Sequence, residues 1–191
     1  MGTRNQQAER SGMSLPEGVA EDRLVCGLAA IGESLFDAAG LAARAGVDPD
    51  TARSWLGTVA EQNWVREIFP GRYVVTSFGR LRADRSGRLF LLGRAGCHLC
   101  EQARQVLAPL ARAAGLELTE VDIDADRTLR GLYDQAVPVV FANGRELARG
   151  PISHQRACQV VRRAKKSSRR GVILLNWCRR FFLQGPSRFR G

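Results

Sequence analysis

The sequence predicts an α/β chain in two parts: a mainly helical part, then a part with the order β-α-β-α-β-β-α. Three observations carry this. Between Glu21 and about Arg85 apolar residues recur with a helical period and then give way to two short extended runs. From Gly87 to about Val161, short apolar runs alternate with helical stretches. The charge is also segregated: of 29 Lys and Arg, ten lie between Arg162 and Gly191 where there is no Asp or Glu, so the preceding 19 balance all 19 acids. The net charge of +10 therefore belongs to the terminal segment, and any argument from charge to nucleic acid concerns that segment. The boundaries that follow are a disordered lead-in over 1–19, a first module over 20–86, a second over 87–163 and a basic tail over 164–191.

In the first module, Leu24, Val25, Leu28, Ala29 and Ile31 trace one face of a helix. Phe36 to Ala45 reads as a shorter, alanine-rich helix ended by Gly46. Asp48 is placed to cap a third helix, with Pro49 at its first position and Asp50 complementing the positive end of the dipole. That helix is expected to bury Ala52, Trp55, Leu56 and Val59. Trp64 to Ile68 and Arg72 to Val75 read as extended runs joined by a turn at Pro70-Gly71. Thr76 is then placed to cap a helix carrying Phe78 and Leu81.

In the second module, Leu89 to Leu92 suits a buried strand, and Cys97-His98-Leu99-Cys100 opens a helix marked by Ala103, Val106, Leu107 and Leu110. Glu117 to Ile123 alternates as a second strand, Asp126 is placed to cap a second helix, and Val137 to Phe141 forms a third strand. Asn143-Gly144 is a strong two-residue hairpin signal leading to a strand at Glu146 to Ala148. Ser153 caps a last helix running through Cys158 and Val161.

A composition of 45% apolar and 25% charged residues excludes collagen-like and wholly disordered chains. No stretch approaches the ~18 consecutive apolar residues of a membrane span. The first twenty residues are polar, without a signal-peptide core, so the expectation is a cytoplasmic protein. Of the five cysteines only Cys97 and Cys100 are closely spaced, which points to redox or metal chemistry rather than to a structural staple.

The strand–loop–helix context places Cys97 at a helix N-terminus, where free amides and the dipole favour an anion. A free thiol with pKa ~8.5 is only a few per cent ionised at pH 7, so a shift of about two units makes most of it reactive thiolate. Cys100 lies one turn inside, close enough to close a disulfide. The expected roles are Cys97 as nucleophile and Cys100 as resolving thiol, with His98 modulating Cys97 when protonated. Two alternatives stand beside this reading. Cys97, Cys100, His154 and Cys158 have C-x2-C and H-x3-C arms and form a candidate zinc set. In the bland reading, His98 is a solvated helix-start residue and Cys158 and Cys26 are plain core.

Residues 88–162 resemble the glutaredoxin-like branch of the thioredoxin superfamily, on the strength of the Cys97-His98-Leu99-Cys100 motif, Val137-Pro138 and the order of elements. The resemblance implies a thioredoxin-like fold, dithiol–disulfide exchange and a cis peptide bond before Pro138. It implies that Val137 and Pro138 contact a bound thiol substrate, and that Arg94 supplies a basic group beside the nucleophile. Implied partners are a disulfide-containing protein or a low-molecular-weight thiol. No cofactor is bound tightly, and glutathione or another dithiol reductant serves as electron donor. The sequence departs from the glutaredoxin pattern in having His98 and Leu99 between the cysteines. It also has Arg149-Gly150 and Ile152-Ser153 where the γ-glutamyl end of glutathione is held.

The first module resembles the winged helix-turn-helix domain through Leu41 to Val47 followed by Pro49 to Arg53. This implies DNA as a partner, yet between Ala20 and Arg85 there are nine acidic and eight basic residues, and only Arg53 is basic in the reading helix. Phosphate contacts dominate DNA affinity, so protein contact or dimerisation is the stronger expectation, with Arg66 and Arg72 left to touch phosphate. In the tail, Val172 to Leu175 and Phe181 to Leu183, separated by Trp177 and Arg179-Arg180, suit a basic amphipathic helix meeting an anionic membrane or nucleic acid. The bland reading is an unstructured extension. A second function class is a redox-responsive regulator, in which oxidation of the cysteine pair alters the contacts of the first module.

Overall fold

The computed structural model describes residues 17–166. Most of the expected lead-in and most of the basic tail lie outside the described residues. Their inner ends are helical: α1 (Glu17–Ile31) starts inside the lead-in, and the last helix, α7 (154–166), runs into the tail.

The first half holds α1, α2 (Ala38–Ala45), α3 (Pro49–Glu61), a hairpin of β1 (Val65–Phe69) and β2 (Arg72–Val75), and α4 (Ser77–Ala83). Its core gathers Leu24, Val25, Leu28 and Ile31 of α1 around Leu41, Leu56, Val59 and Trp64. Ala29, expected on the same face, is exposed. Asp48 caps α3 as expected, accepting the Thr51 N–H at 2.8 Å, a contact worth about 1 kcal/mol. Trp55 is only half-buried, edge-on to Trp64 at 6.1 Å.

Phe36 is not helical. Its N–H and C=O pair with Tyr73 at 3.0 and 2.8 Å, making a third extended piece beside β2. Asp37 then caps α2 by accepting the Gly40 N–H at 2.8 Å. A buried aromatic facing a strand outweighs the alanine-rich run that follows it.

The second half is a four-stranded sheet of order β4-β3-β5-β6, with β3 (Leu89–Gly93) parallel to β4 (Leu118–Asp122) and antiparallel to β5 (Val139–Ala142). Asn143 and Gly144, both at positive φ, turn β5 into β6 (Arg145–Arg149). α5 (His98–Ala113) and α7 cover one face, and α6 (Arg127–Tyr133) covers the other. The mixed α/β class and the thioredoxin-like arrangement of this half are as expected.

α4 joins the two halves. Leu81 lies in the core beneath α6, and Phe78 packs against that core and against the core of the first half. Ser77 Oγ donates to Asp126 Oδ2 at 2.5 Å, and the Arg82 guanidinium lies 4.8 Å from the centre of the Trp64 ring. Gly79 passes so close to the Trp64 backbone that a β-carbon there would overlap the Trp64 carbonyl.

Candidate functional site

The site forms where the parallel strands β3 and β4 end. β3 stops at Gly93, a loop through Gly96 at φ 68° turns the chain, and Cys97 becomes the N-cap of α5. Cys97 Sγ accepts the Cys100 N–H at 3.2 Å, and the Cys97 carbonyl accepts N–H groups from Cys100 and Glu101 at 3.0 and 3.1 Å. The first sulfur therefore sits where the free amides of the helix converge, which favours its anion when the pair is reduced.

Cys97 and Cys100 form a disulfide with Cα atoms 5.2 Å apart. The two sulfurs differ in access: Cys97 is half-buried, while Cys100 is 8% exposed and sits under β3. Gly93 makes the seat for Cys100, since a β-carbon there would come within 3.1 Å of Cys100 Cβ and 3.2 Å of Cys100 Sγ. That requirement was missed from sequence. Its only sequence trace is a glycine closing an apolar strand four residues before the motif.

The Val137–Pro138 peptide bond is cis, as the resemblance implied; Pro138 is buried and Val137 half-buried. His98 is exposed, with Nε2 2.9 Å from Gln102 Nε2. The Arg94 guanidinium is held by two carboxylates, Asp134 at 2.7 Å and Asp124 at 3.2 Å. Hydrogen bonding to Arg94 keeps the Asp134 carboxyl below the usual carboxylate range. Asp124 and Asp134 were not singled out from sequence. They fall in the Asp122-Ile123-Asp124-Ala125-Asp126 run and just past α6, where nothing but the fold brings them to Arg94. Beside these groups, a cleft of about 370 Å³ runs past Arg94, Gly96, Cys100, Arg104, Glu120 and Asp122.

The zinc set is not assembled. Among the described residues no group of three or more His, Cys, Asp or Glu is placed to hold a metal ion. His154 and Cys158 keep to each other on α7, with Nδ1 to Sγ at 3.8 Å, while Cys97 and Cys100 are bonded together. Cys158 and Cys26 are half-buried rather than core. Among the described residues no helix is long and apolar enough to cross a membrane.

Comparison with known proteins agrees with this geometry. Residues 88–162 match the model of the family described as "Glutaredoxin-like domain". This stretch is a glutaredoxin-like domain. The match begins just before β3 and ends within α7, so it takes in the whole four-stranded sheet and its cysteine pair. Relatives include "Uncharacterized protein Mb0520" of Mycobacterium bovis and "Uncharacterized protein Rv0508" of Mycobacterium tuberculosis. Each is 34% identical over 61 residues, covering 29% of this chain. The chain spans 63% of the length of these curated relatives. No solved structure matches. A glutaredoxin-like domain bearing a bonded Cys97–Cys100 pair points to thiol redox function.

Proposed function

We propose that the chain is a thiol–disulfide oxidoreductase whose working groups are Cys97 and Cys100. Cys97 attacks a substrate disulfide, forms a mixed disulfide and expels the first substrate thiol. Cys100 then attacks Cys97, releasing the second substrate thiol and closing the Cys97–Cys100 bond. A low-molecular-weight thiol such as glutathione, or another dithiol, returns the pair to its reduced form. The observation that carries this reading is the asymmetry of the pair: the more open sulfur lies on the N-cap of α5 and accepts an amide, while the other is buried one turn away. Val137 and Pro138 offer backbone to the bound substrate. Arg94 acts through Asp124 and Asp134, fixing the loop before Cys97 rather than meeting the sulfur. His98, exposed on α5 beside Gln102, tunes the field at Cys97. The working compartment on this reading is the cytoplasm.

Trapping tests the assignment. Cys100→Ser accumulates mixed disulfides on Cys97, and Cys97→Ser abolishes turnover of a small disulfide substrate. Equal turnover in wild type and Cys97→Ser refutes it.

A second reading is favoured by α4. Ser77, Phe78 and Leu81 tie the first half to α6 and β5, so the domain that carries the redox site and a three-helix-plus-hairpin module share one packed seam, on the sheet face opposite α5. On this reading the module, winged-helix-like over 20–86, is a regulatory partner-binding unit for the domain over 87–163. DNA is the less favoured partner, because Arg72 is engaged by Asp37 at 2.9 Å and Arg53 by Asp50 at 2.5 Å. Redox-dependent DNA binding at low salt supports that partner, and its absence disposes of it.

A further inference from the structure

The described chain ends on a surface of one sign. From Glu17 to Ser153 there are sixteen basic and eighteen acidic residues, close to balance. α7 then carries Arg156, Arg162, Arg163, Lys165 and Lys166 and no acid, and all five side chains are exposed. None of the ion pairs among the described residues involves α7.

Between α7 and β6 lies a groove of about 400 Å³. Leu147 and Val160 make its apolar floor, Gln155 and Gln159 bring side-chain amides, and Arg156 and Arg163 supply its charge. Ala157, Val160, Val161 and Ala164 face the sheet core, which turns Arg156, Gln159 and Arg163 as one stripe along a flank of the helix. β6 is a terminal strand, so its outer edge has no strand beside it among the described residues. The Gly150 N–H donates to the Pro138 carbonyl at 2.8 Å, and the alternation of an antiparallel ladder therefore points the Arg149 amide and carbonyl away from β5. β4, the other terminal strand, is already lined by the chain's own ion pairs, Arg88–Glu117 at 3.2 Å and Arg104–Glu120 at 3.9 Å.

We propose that the groove between β6 and α7 docks an extended, acidic segment of the disulfide-bearing partner, with Arg156 and Arg163 as its carboxylate receptors. The partner's role as substrate rests on the dithiol chemistry proposed above. Charge complementarity sets the sign of the occupant, and shape and chemistry set its class. Arg156 and Arg163 are about 10 Å apart along the helix. Carboxylates two or four residues apart on one face of an extended chain span about 7 or 13 Å, which brackets that spacing within reach of two flexible arginines. The Gln155 and Gln159 amides both donate and accept, as a polypeptide backbone does, whereas phosphate only accepts. Bases of a single strand stack on aromatic rings, and no aromatic residue lines the groove. A lipid surface needs apolar side chains to insert, and none of the exposed large hydrophobic residues among those described lies on α7. The Ser153 end of the groove is three residues from Gly150, which is bonded to Pro138. A segment lying in the groove thus leads toward the cis-proline beside which the partner's disulfide is to be presented.

The test follows the fluorescence anisotropy of a labelled peptide of alternating Glu and Thr as the full chain is added. Binding is expected, and a matched peptide of Gln and Thr binds at least ~10-fold more weakly. Arg156→Gln with Arg163→Gln, both at exposed positions, weakens the Glu peptide at least ~10-fold, as loss of two charge-assisted contacts requires. Arg179→Gln with Arg180→Gln removes the same charge from the terminal segment and changes binding less than ~3-fold. Equal loss in the two double variants overturns the proposal, because net charge alone then accounts for binding. A single-stranded oligonucleotide that outcompetes the peptide, and whose own binding is lost only in the groove variant, also overturns it and assigns the groove to nucleic acid. When the Glu peptide carries a disulfide, the groove variant raises its KM at least ~5-fold with kcat kept and turnover of hydroxyethyl disulfide unchanged. An unchanged KM overturns the docking role. If wild type turns over neither disulfide the proposed function is refuted, while the anisotropy titrations, which need no thiol, still decide the groove.

Discussion

Gly93→Ala probes the seat of the resolving thiol. Gly93 has no positive φ, so alanine meets no backbone penalty there. Its β-carbon would lie 3.1 Å from Cys100 Cβ and 3.2 Å from Cys100 Sγ, whereas comfortable contacts are about 3.5–4.0 Å. Cys100 must give way by a few tenths of an ångström. The Cβ contact is common to both redox forms, since rotation about χ1 leaves Cβ in place. The sulfur is free to turn away in the dithiol form but is tied to Cys97 in the disulfide form, so the Sγ contact burdens the oxidised state alone. Overpacking of this kind costs about 1–2 kcal/mol, and for a two-electron couple about 1.4 kcal/mol corresponds to 30 mV. The reduction potential of the pair should therefore rise, by up to roughly 45 mV. The assay equilibrates wild type and variant against a series of thiol buffers, quenches with N-ethylmaleimide and reads the reduced fraction by intact mass. A potential equal to that of wild type, or more negative, refutes the reasoning.

Gly79→Ala should destabilise the chain by at least ~2 kcal/mol in urea unfolding, because the atom its β-carbon meets is the Trp64 backbone, which cannot rotate away; wild-type stability would mean that α4 does not pass where it is described. For Asp126, burial works to raise the carboxyl pKa. The Ser77 hydroxyl, the Leu129 and Thr128 amides and Arg80 outweigh it and hold the group below the usual range. A carboxyl depressed in the folded state contributes stability above its unfolded pKa of about 3.9 and loses it as pH falls through the folded value. The stability gap between wild type and Asp126→Asn should thus be present at pH 7 and shrink toward pH 3 in urea titrations, and a gap independent of pH contradicts the assignment.

Much of the second half was legible because local chemistry and tertiary packing agree there. Asn143-Gly144 suits only a tight hairpin, Asp126 caps the helix it precedes, and the cysteine motif follows an apolar strand. Asp48 and Pro49 announced α3 in the same way. Legibility failed where a partner distant in sequence decides. Phe36 left the helical pattern because Tyr73, 37 positions on, offers both its N–H and its C=O. Arg94 was read from sequence without partners, and Asp124 and Asp134, which hold its guanidinium, lie 30 and 40 residues further on. Nothing local marks Gly79 or Gly93 as a close approach, since what each approaches is fixed only once the chain has folded. The seam made by α4 was invisible for the same reason: Phe78 reads as one more core residue until both cores are in place.

The rate of alkylation of Cys97 across pH, in reduced full-length chain with the other cysteines resolved by peptide mapping, bears most directly on the central claim. A sulfur stabilised as an anion on the α5 N-cap gives a half-maximal rate below about pH 7, and at pH 6 reacts about ten times faster than a small free thiol even after its lower intrinsic nucleophilicity is counted. A profile centred near 8.5 with no rate advantage at pH 6 would contradict the account, because the helix terminus would then be doing nothing for the sulfur it carries.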